Sequence, residues 1–265
     1  MQSKLKFLSM LVIVISMMCI VPTVFAYKAG DIAGTIGIGT YESPVRCDNF
    51  SELKQALENK DIKYVRLDGT INEMLPLTKK ESSGTGLISA IQIRTEKHLI
   101  LNGDATFTVP STDVNEYNTI VNLLHVMGTN FELLGNGSLT FRAVATNASN
   151  AVLYVDGADI RMKTTIQEGV SLIGSFNTEV YGHAIWVNSG TLIINGGTFI
   201  GENALNNDIA SGVGIYGGYT YIYDGEFRAY NKGSASAKLY GVNVYDEDAY
   251  MEIRGGKFYD FKVPS

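Results

Sequence analysis

The decapeptide LIINGGTFIG at residues 192–201 returns in variant form as YIYDGEFRA at 221–229 and MEIRGGKFYD at 251–260. An apolar pair, a glycine turn and a phenylalanine recur too regularly to be a single loop. A matching beat opens AIQIRTEKHLILNGDATF at 90, LLHVMGTNFELLGNGSLTF at 123 and VLYVDGADIRMKTTIQEGVSLIG at 152. It continues with AIWVNSGTLIINGGTF at 184, GIYGGYTYIYDGEF at 214 and GVNVYDEDAYMEIRGGKF at 241. The second residues of these units, Ile91, Leu124, Leu153, Ile185, Ile215 and Val242, are spaced by 33, 29, 32, 30 and 27. A loose period of about thirty with two-residue alternation inside each unit predicts a β-solenoid. The 3.6-residue periodicity of helical repeats is absent.

Each unit divides into three short strands. The first points Ile91/Ile93, Leu124/Val126, Leu153/Val155, Ile185/Val187 and Val242/Val244 inward. The second does the same with Leu99/Leu101, Phe131/Leu133, Ile160/Met162, Leu192/Ile194 and Met251/Ile253. After a glycine turn the third buries Phe107, Phe141, Phe199, Phe227 and Phe258, with Leu172 as the aliphatic substitute. Stacking at about 4.8 Å per coil would gather those rings into one interior column. Glycine supplies the tight corners. The predicted fold is all-β, a right-handed parallel β-helix of about six to seven coils with three short strands per coil.

Ahead of the coils, DNFSELKQALENKDIKYVRLDGTI predicts a short α-helix at about 49–59. Asp48 or Ser51 would cap it, and Phe50, Leu53, Ala56 and Leu57 form its apolar face. Such a helix would cover the open end of the first coil. With these features the chain resembles the pectin lyase-like superfamily over roughly residues 48–262, by pattern and without a catalytic signature. The resemblance implies the fold, and it implies a polysaccharide groove on the outward face of the first strands.

Residues 1–26 read as an export signal. Lys4 and Lys6 precede the apolar run LSMLVIVISMMCIVP, and Val24 and Ala26 fit a peptidase site before Tyr27. Residues 27–47 read as a flexible lead-in, and 48–265 as the β-helix. The last residues, FKVPS, lack a capping segment, so further coils or domains are expected beyond them. Without residues 1–26 the chain holds 19 basic and 27 acidic residues, a net charge of −8. That balance, with no clustered Lys or Arg, argues against nucleic acid and, once the signal is cut, against a membrane as partner. Cys47 is then the only cysteine, so the core must be held by packing. A secreted or cell-surface location is expected.

Alternation also gives the outward residues of the first strands. One column runs Gln92, His125, Tyr154, Trp186, Tyr216 and Asn243; the next runs Arg94, Met127, Asp156, Asn188, Gly218 and Tyr245. Tyr154, Trp186 and Tyr216 would form an aromatic stripe suited to the flat faces of sugars. Packing between neighbouring strands explains such rings equally well. The candidate glycan-binding set is Tyr154, Trp186 and Tyr216 with Gln92, Asn188 and Asn243.

Catalysis finds thinner support. Glycoside hydrolysis needs two carboxyls within about 5–9.5 Å, and the outward columns supply only Asp156. The polygalacturonase pattern has no counterpart: GHAIW at 182–186 shares only a Gly-His pair, and His183 reads as lining the bend into its strand. Calcium lacks support, because Asp156/Asp159 and Asp246/Glu247/Asp248 fall three coils apart, about 14 Å. No metal or other cofactor is expected. In an enzyme, His125 and Asp156 on adjacent coils, with Arg94, would carry the chemistry. The expected function is a non-catalytic, glycan-contacting or adhesin-like module. The alternative is a polysaccharide lyase or glycoside hydrolase acting on polyuronate-type glycans.

Overall fold

A computed structural model describes residues 37–75, 78–79, 88–109, 117–118, 120–146, 150–178, 181–203, 209–231, 238–259 and 261–262. The segment read as an export signal and residues 27–36 of the expected lead-in lie outside the described residues. Three parallel sheets of eight, seven and seven strands form a β-solenoid. The chain passes through the first, second and third sheet in turn, as in Thr191–Ile194, Thr198–Asn203 and Ile209–Ile215. Among the described residues this cycle is completed seven times. A two-stranded antiparallel pair, Thr78–Lys79 with Tyr117–Asn118, leaves the stack.

The cap is an α-helix, Phe50–Glu58. Its N-cap is Asn49 rather than Asp48 or Ser51: the Asn49 side chain accepts from the Glu52 N–H at 2.9 Å. Phe50, Leu53, Ala56 and Leu57 are buried, and the Phe50 ring meets Phe107 edge-on at 5.4 Å. The sheet also begins inside the stretch read as lead-in, because Val45–Cys47 pairs in parallel with Tyr64–Asp68.

One buried charge joins cap to coil. Lys97 holds an interior position in line with Phe131, where other coils carry apolar or hydroxyl side chains. Its ammonium donates to the carbonyls of Asn59 and Ile62 and to Thr95 Oγ1, satisfying groups at the helix C-terminus. Burial pushes that ammonium down to about 8, with Asp61 opposing the shift.

In the first sheet Val65, Leu99, Leu133, Ile166, Ile194 and Ile222 stack as one aliphatic column. The predicted inward pair Ile160/Met162 is displaced. The strand there is Lys163–Ile166, Thr164 and Ile166 are buried, and Ile160 is 53 % exposed. Ladder pairing of Phe131 with Thr164 and Leu133 with Ile166 selects this register. Each turn into the second sheet carries a positive-φ glycine, as at Gly197, Gly225 and Gly256.

The phenylalanines occupy two interior columns rather than one. Phe107 and Phe141 are paired with each other, and the same column continues with Gly174, Gly201 and Ala229. Phe199, Phe227 and Phe258 lie two residues away, in line with Ala105, Leu139 and Leu172. Phe199–Phe227 and Phe227–Phe258 are stacked at 5.1 and 4.8 Å. The Phe176 ring takes the space a side chain at Gly174 would fill and meets Phe141 edge-on at 5.8 Å.

The switch follows from a corner in the third sheet. There two successive residues face the core in each coil, as in Leu123–Leu124, Val152–Leu153 and Ala184–Ile185. The ladder skips the first of each pair, which stack as Ala90, Leu123, Val152, Ala184, Gly212 and Gly241. From Leu123 onward the side chains in this column shrink to nothing, so at Gly212 and Gly241 the second and third sheets come into backbone contact. A Cβ on Gly201 would lie 2.2 Å from the Ser211 carbonyl oxygen; one on Gly212 would lie 2.7 Å from that of Phe199. With that corner closed, the later rings fill the wider side.

Two measurements check these contacts. Gly212→Ala should cost about 2 kcal/mol or more in denaturant unfolding, since backbone must move to admit the methyl group. A neutral result would mean that the sheets part freely there. The second concerns Lys97. Its pKa is lower in the folded state than its ordinary 10.5, so unfolding takes up a proton between about pH 8 and 10.5, and folded stability rises with pH in that window. Cys47, whose thiol burial pushes up to about 12, acts oppositely above pH 9 but is common to wild type and Lys97→Met. The stability of wild type relative to Lys97→Met should therefore rise from pH 8 to 10, by up to about 1.4 kcal/mol per pH unit; a flat difference would refute the assignment.

Candidate functional site

The outer face of the third sheet carries the two columns singled out in the sequence. Ladder pairing puts Gln92, His125, Tyr154 and Trp186 in line, as expected. The next place belongs to Gly214, not Tyr216, and Asn243 follows it. Tyr216 instead lies in the second column, between Asn188 and Tyr245, and its N–H donates to the Val187 carbonyl at 2.8 Å. The true inward pair is Val213/Ile215, which makes the last two repeat steps 28 and 29 residues. A slip of two residues leaves every side chain on its face, so alternation alone could not detect it. Gly218, expected in the second column, turns the following corner with φ +75°.

The stripe is therefore two ring groups. Tyr154 packs on His125 with centroids 4.6 Å apart. Trp186 centres the other group: Tyr216 stacks on it at 6.3 Å and 16°, Tyr245 lies at 5.4 Å, Tyr181 at 6.0 Å and His183 at 4.7 Å. Tyr216 is half exposed, whereas His183 and Asn243 are fully buried. Asn243 thus offers no solvent-facing amide. His183 lies inside the strand Tyr181–Val187, directly before the kink at Ala184–Ile185, and not at the bend into the strand where the sequence reading put it. Its Nδ1 lies 2.6 Å from Ser211 Oγ, and burial drives the imidazole down to about 3.

The catalytic candidates His125 and Asp156 lie near one another. His125 Nε2 and Asp156 Oδ2 are 3.8 Å apart, and His125 Nε2 has no hydrogen-bond partner. Burial lowers the His125 pKa; Asp156 opposes the shift and Arg94 adds to it. Asp156 is occupied as a turn acceptor, receiving Ser189 Oγ at 2.7 Å and Asn188 Nδ2 at 3.3 Å. Arg94 donates to Gln92 Oε1 at 2.7 Å, and the Gln92 N–H donates to Glu58 of the cap helix. Burial, then Asp156, pushes the Tyr154 hydroxyl up to about 12. Among the described residues no group of three His, Cys, Asp or Glu is placed to hold a metal.

Two surface features of the first sheet were not singled out in the sequence. His98 Nδ1 lies 2.6 Å from Glu132 Oε2; Gln167 donates to Glu132, and Asn195 to Gln167. Tyr64 stacks on His98 at 4.3 Å, and Lys63 pairs with Glu96 beside them. At the other end Tyr250 packs on Tyr219 and Tyr221. Alternation in the second strands marks these residues as outward, but only register shows which of them meet. Comparison with protein families, with curated proteins and with solved structures finds no match for this chain.

Proposed function

We propose that the protein is an exported, non-catalytic β-helix module of the pectin lyase-like kind that contacts glycans at the cell surface or outside the cell. The observation that carries this reading is the ring group around Trp186, whose partner Tyr216 is half exposed on the outer face of the third sheet. Broad rings held by a rigid sheet present contact area with little conformational entropy to lose. Tyr154, Gln92 and Asn188 lie on the same face and extend the surface along the solenoid. The apolar segment and small-residue site in residues 1–26 support export.

A polysaccharide lyase or hydrolase acting on polyuronates is the second reading, and it rests on the 3.8 Å approach of His125 to Asp156. The hydrogen bonds holding Asp156 in its turn favour the binding module.

Trp186 is the chain's only tryptophan, so its fluorescence reports the ring group directly. Titration with soluble neutral glycans should quench or shift the emission. In affinity electrophoresis Trp186→Ala should bind ten-fold or more weakly, as truncating a central aromatic anchor costs about 2 kcal/mol or more. An unchanged emission across neutral and acidic glycans would remove the ring group as a binding surface. On polyuronate, neither unsaturated uronate absorbance nor new reducing ends should appear. Turnover that is lost in His125→Ala or Asp156→Ala would establish the enzyme instead.

A further inference from the structure

Three side-chain atoms in the Trp186 group are buried without a hydrogen bond of normal geometry: His183 Nε2, Asn243 Nδ2 and Tyr245 Oη, although the Asn243 amide is close enough to the Tyr245 hydroxyl to oppose the upward push of burial on its pKa. Such groups are uncommon in folded proteins, because each forfeits its bonds to water, and each calls for an explanation. These three belong to one contiguous patch. Asn243 and Tyr245 are two residues apart, and Asn243 pairs across the ladder with Gly214. The missing Gly214 side chain gives room to the His183 ring, whose atoms lie 2.9–3.1 Å from where a Cβ would stand. The His183 and Tyr245 rings are 5.9 Å apart, and Trp186 packs against both.

The patch is polar but uncharged. Ser211 occupies the Nδ1 side of His183, leaving Nε2 open, and the imidazole stays neutral because burial holds it down to about 3. Asn243 Nδ2 is a donor, and the Tyr245 hydroxyl both donates and accepts. No carboxylate, lysine or arginine is among Tyr181, His183, Trp186, Ser211, Gly214, Asn243 and Tyr245. A uronate carboxylate here would be desolvated with no cation to meet it. A hydroxyl group can accept from the amide and exchange hydrogen bonds with the phenol and the imidazole, between aromatic walls.

We propose that His183 Nε2, Asn243 Nδ2 and Tyr245 Oη seat one hydroxyl group of a neutral sugar whose ring rests against Trp186. The assignment rests on glycan contact at the Trp186 group and narrows it to uncharged glycans. Because His183 and Asn243 are sealed from solvent, the hydroxyl enters as the Trp186 or Tyr245 ring turns aside, so binding must alter Trp186 emission.

Tyr245→Phe tests the seat, since it removes one oxygen and keeps the ring. Binding of wild type, Tyr245→Phe and Trp186→Ala to soluble β-glucan, xylan and galactomannan would be compared by affinity electrophoresis, with polygalacturonate as the charged comparison. Denaturant unfolding of each variant would be measured alongside. Tyr245→Phe should bind about three- to ten-fold more weakly, the loss of one hydrogen bond. Its stability should change little, because the oxygen removed makes no hydrogen bond of normal geometry. Undiminished neutral-glycan binding by Tyr245→Phe, with binding lost in Trp186→Ala, would overturn the seat and leave the ring group as the binding surface. Equally tight binding of polygalacturonate would overturn the neutral-sugar assignment. Wild type binding none of the four glycans would overturn the glycan reading itself, and the seat with it.

Discussion

Each coil hydrogen-bonds in register onto the coil before it, and everything else in this molecule depends on that pairing. It converts a side chain's place in one coil into a neighbour about 4.8 Å away in the next. Apolar residues therefore become columns: the aliphatic run from Val65 to Ile222, and the stacked rings of Phe199, Phe227 and Phe258. The same pairing creates the surface features, since Trp186, Tyr216 and Tyr245 are separated in sequence and meet only across coils. The helix Phe50–Glu58 lies over the first coil, and its end is tied down by the Lys97 ammonium. Cys47 is the one cysteine among the described residues and is free, so packing and hydrogen bonding hold the coils together.

Much of the fold is legible in the sequence because alternation decides which face each residue takes. Five inward pairs of the third sheet, the cap helix and its apolar face follow from spacing alone. Alternation does not decide how far one coil is shifted along the next. A two-residue slip preserves all faces, and that is how Tyr216 was aligned with Trp186 although the ladder puts Gly214 there. The same degeneracy merged two phenylalanine columns into one. At Ile160 and Met162 a longer turn precedes the strand, and the pair that fits the ladder is Thr164/Ile166.

The candidate site was legible only in outline for the same reason. Trp186 and Tyr154 stand out as outward rings by parity. That His183 lies beneath Trp186, and that Asn243 is sealed rather than exposed, depends on a kink where two consecutive residues face inward. No single-strand pattern announces that kink. It is visible only once Leu123, Val152, Ala184, Gly212 and Gly241 are aligned. The His125–Asp156 approach was foreseeable from adjacent columns, but the Ser189 and Asn188 hydrogen bonds that fix Asp156 belong to a neighbouring turn.

The shrinking corner column also gives the solenoid an address system. In a repeat protein with identical units, coils could be exchanged, duplicated or paired one step out of place at little cost. Here the corner is filled at Leu123 and Val152 and closed at Gly212 and Gly241, so a segment carrying Leu123 or Val152 cannot occupy a position where two backbones already touch. Misaligned pairing that brings Leu123 or Val152 to the closed corner, within one chain or between two during folding, would meet a steric penalty. Tapering thereby acts against the domain exchange and irregular assembly to which stacked parallel strands are prone.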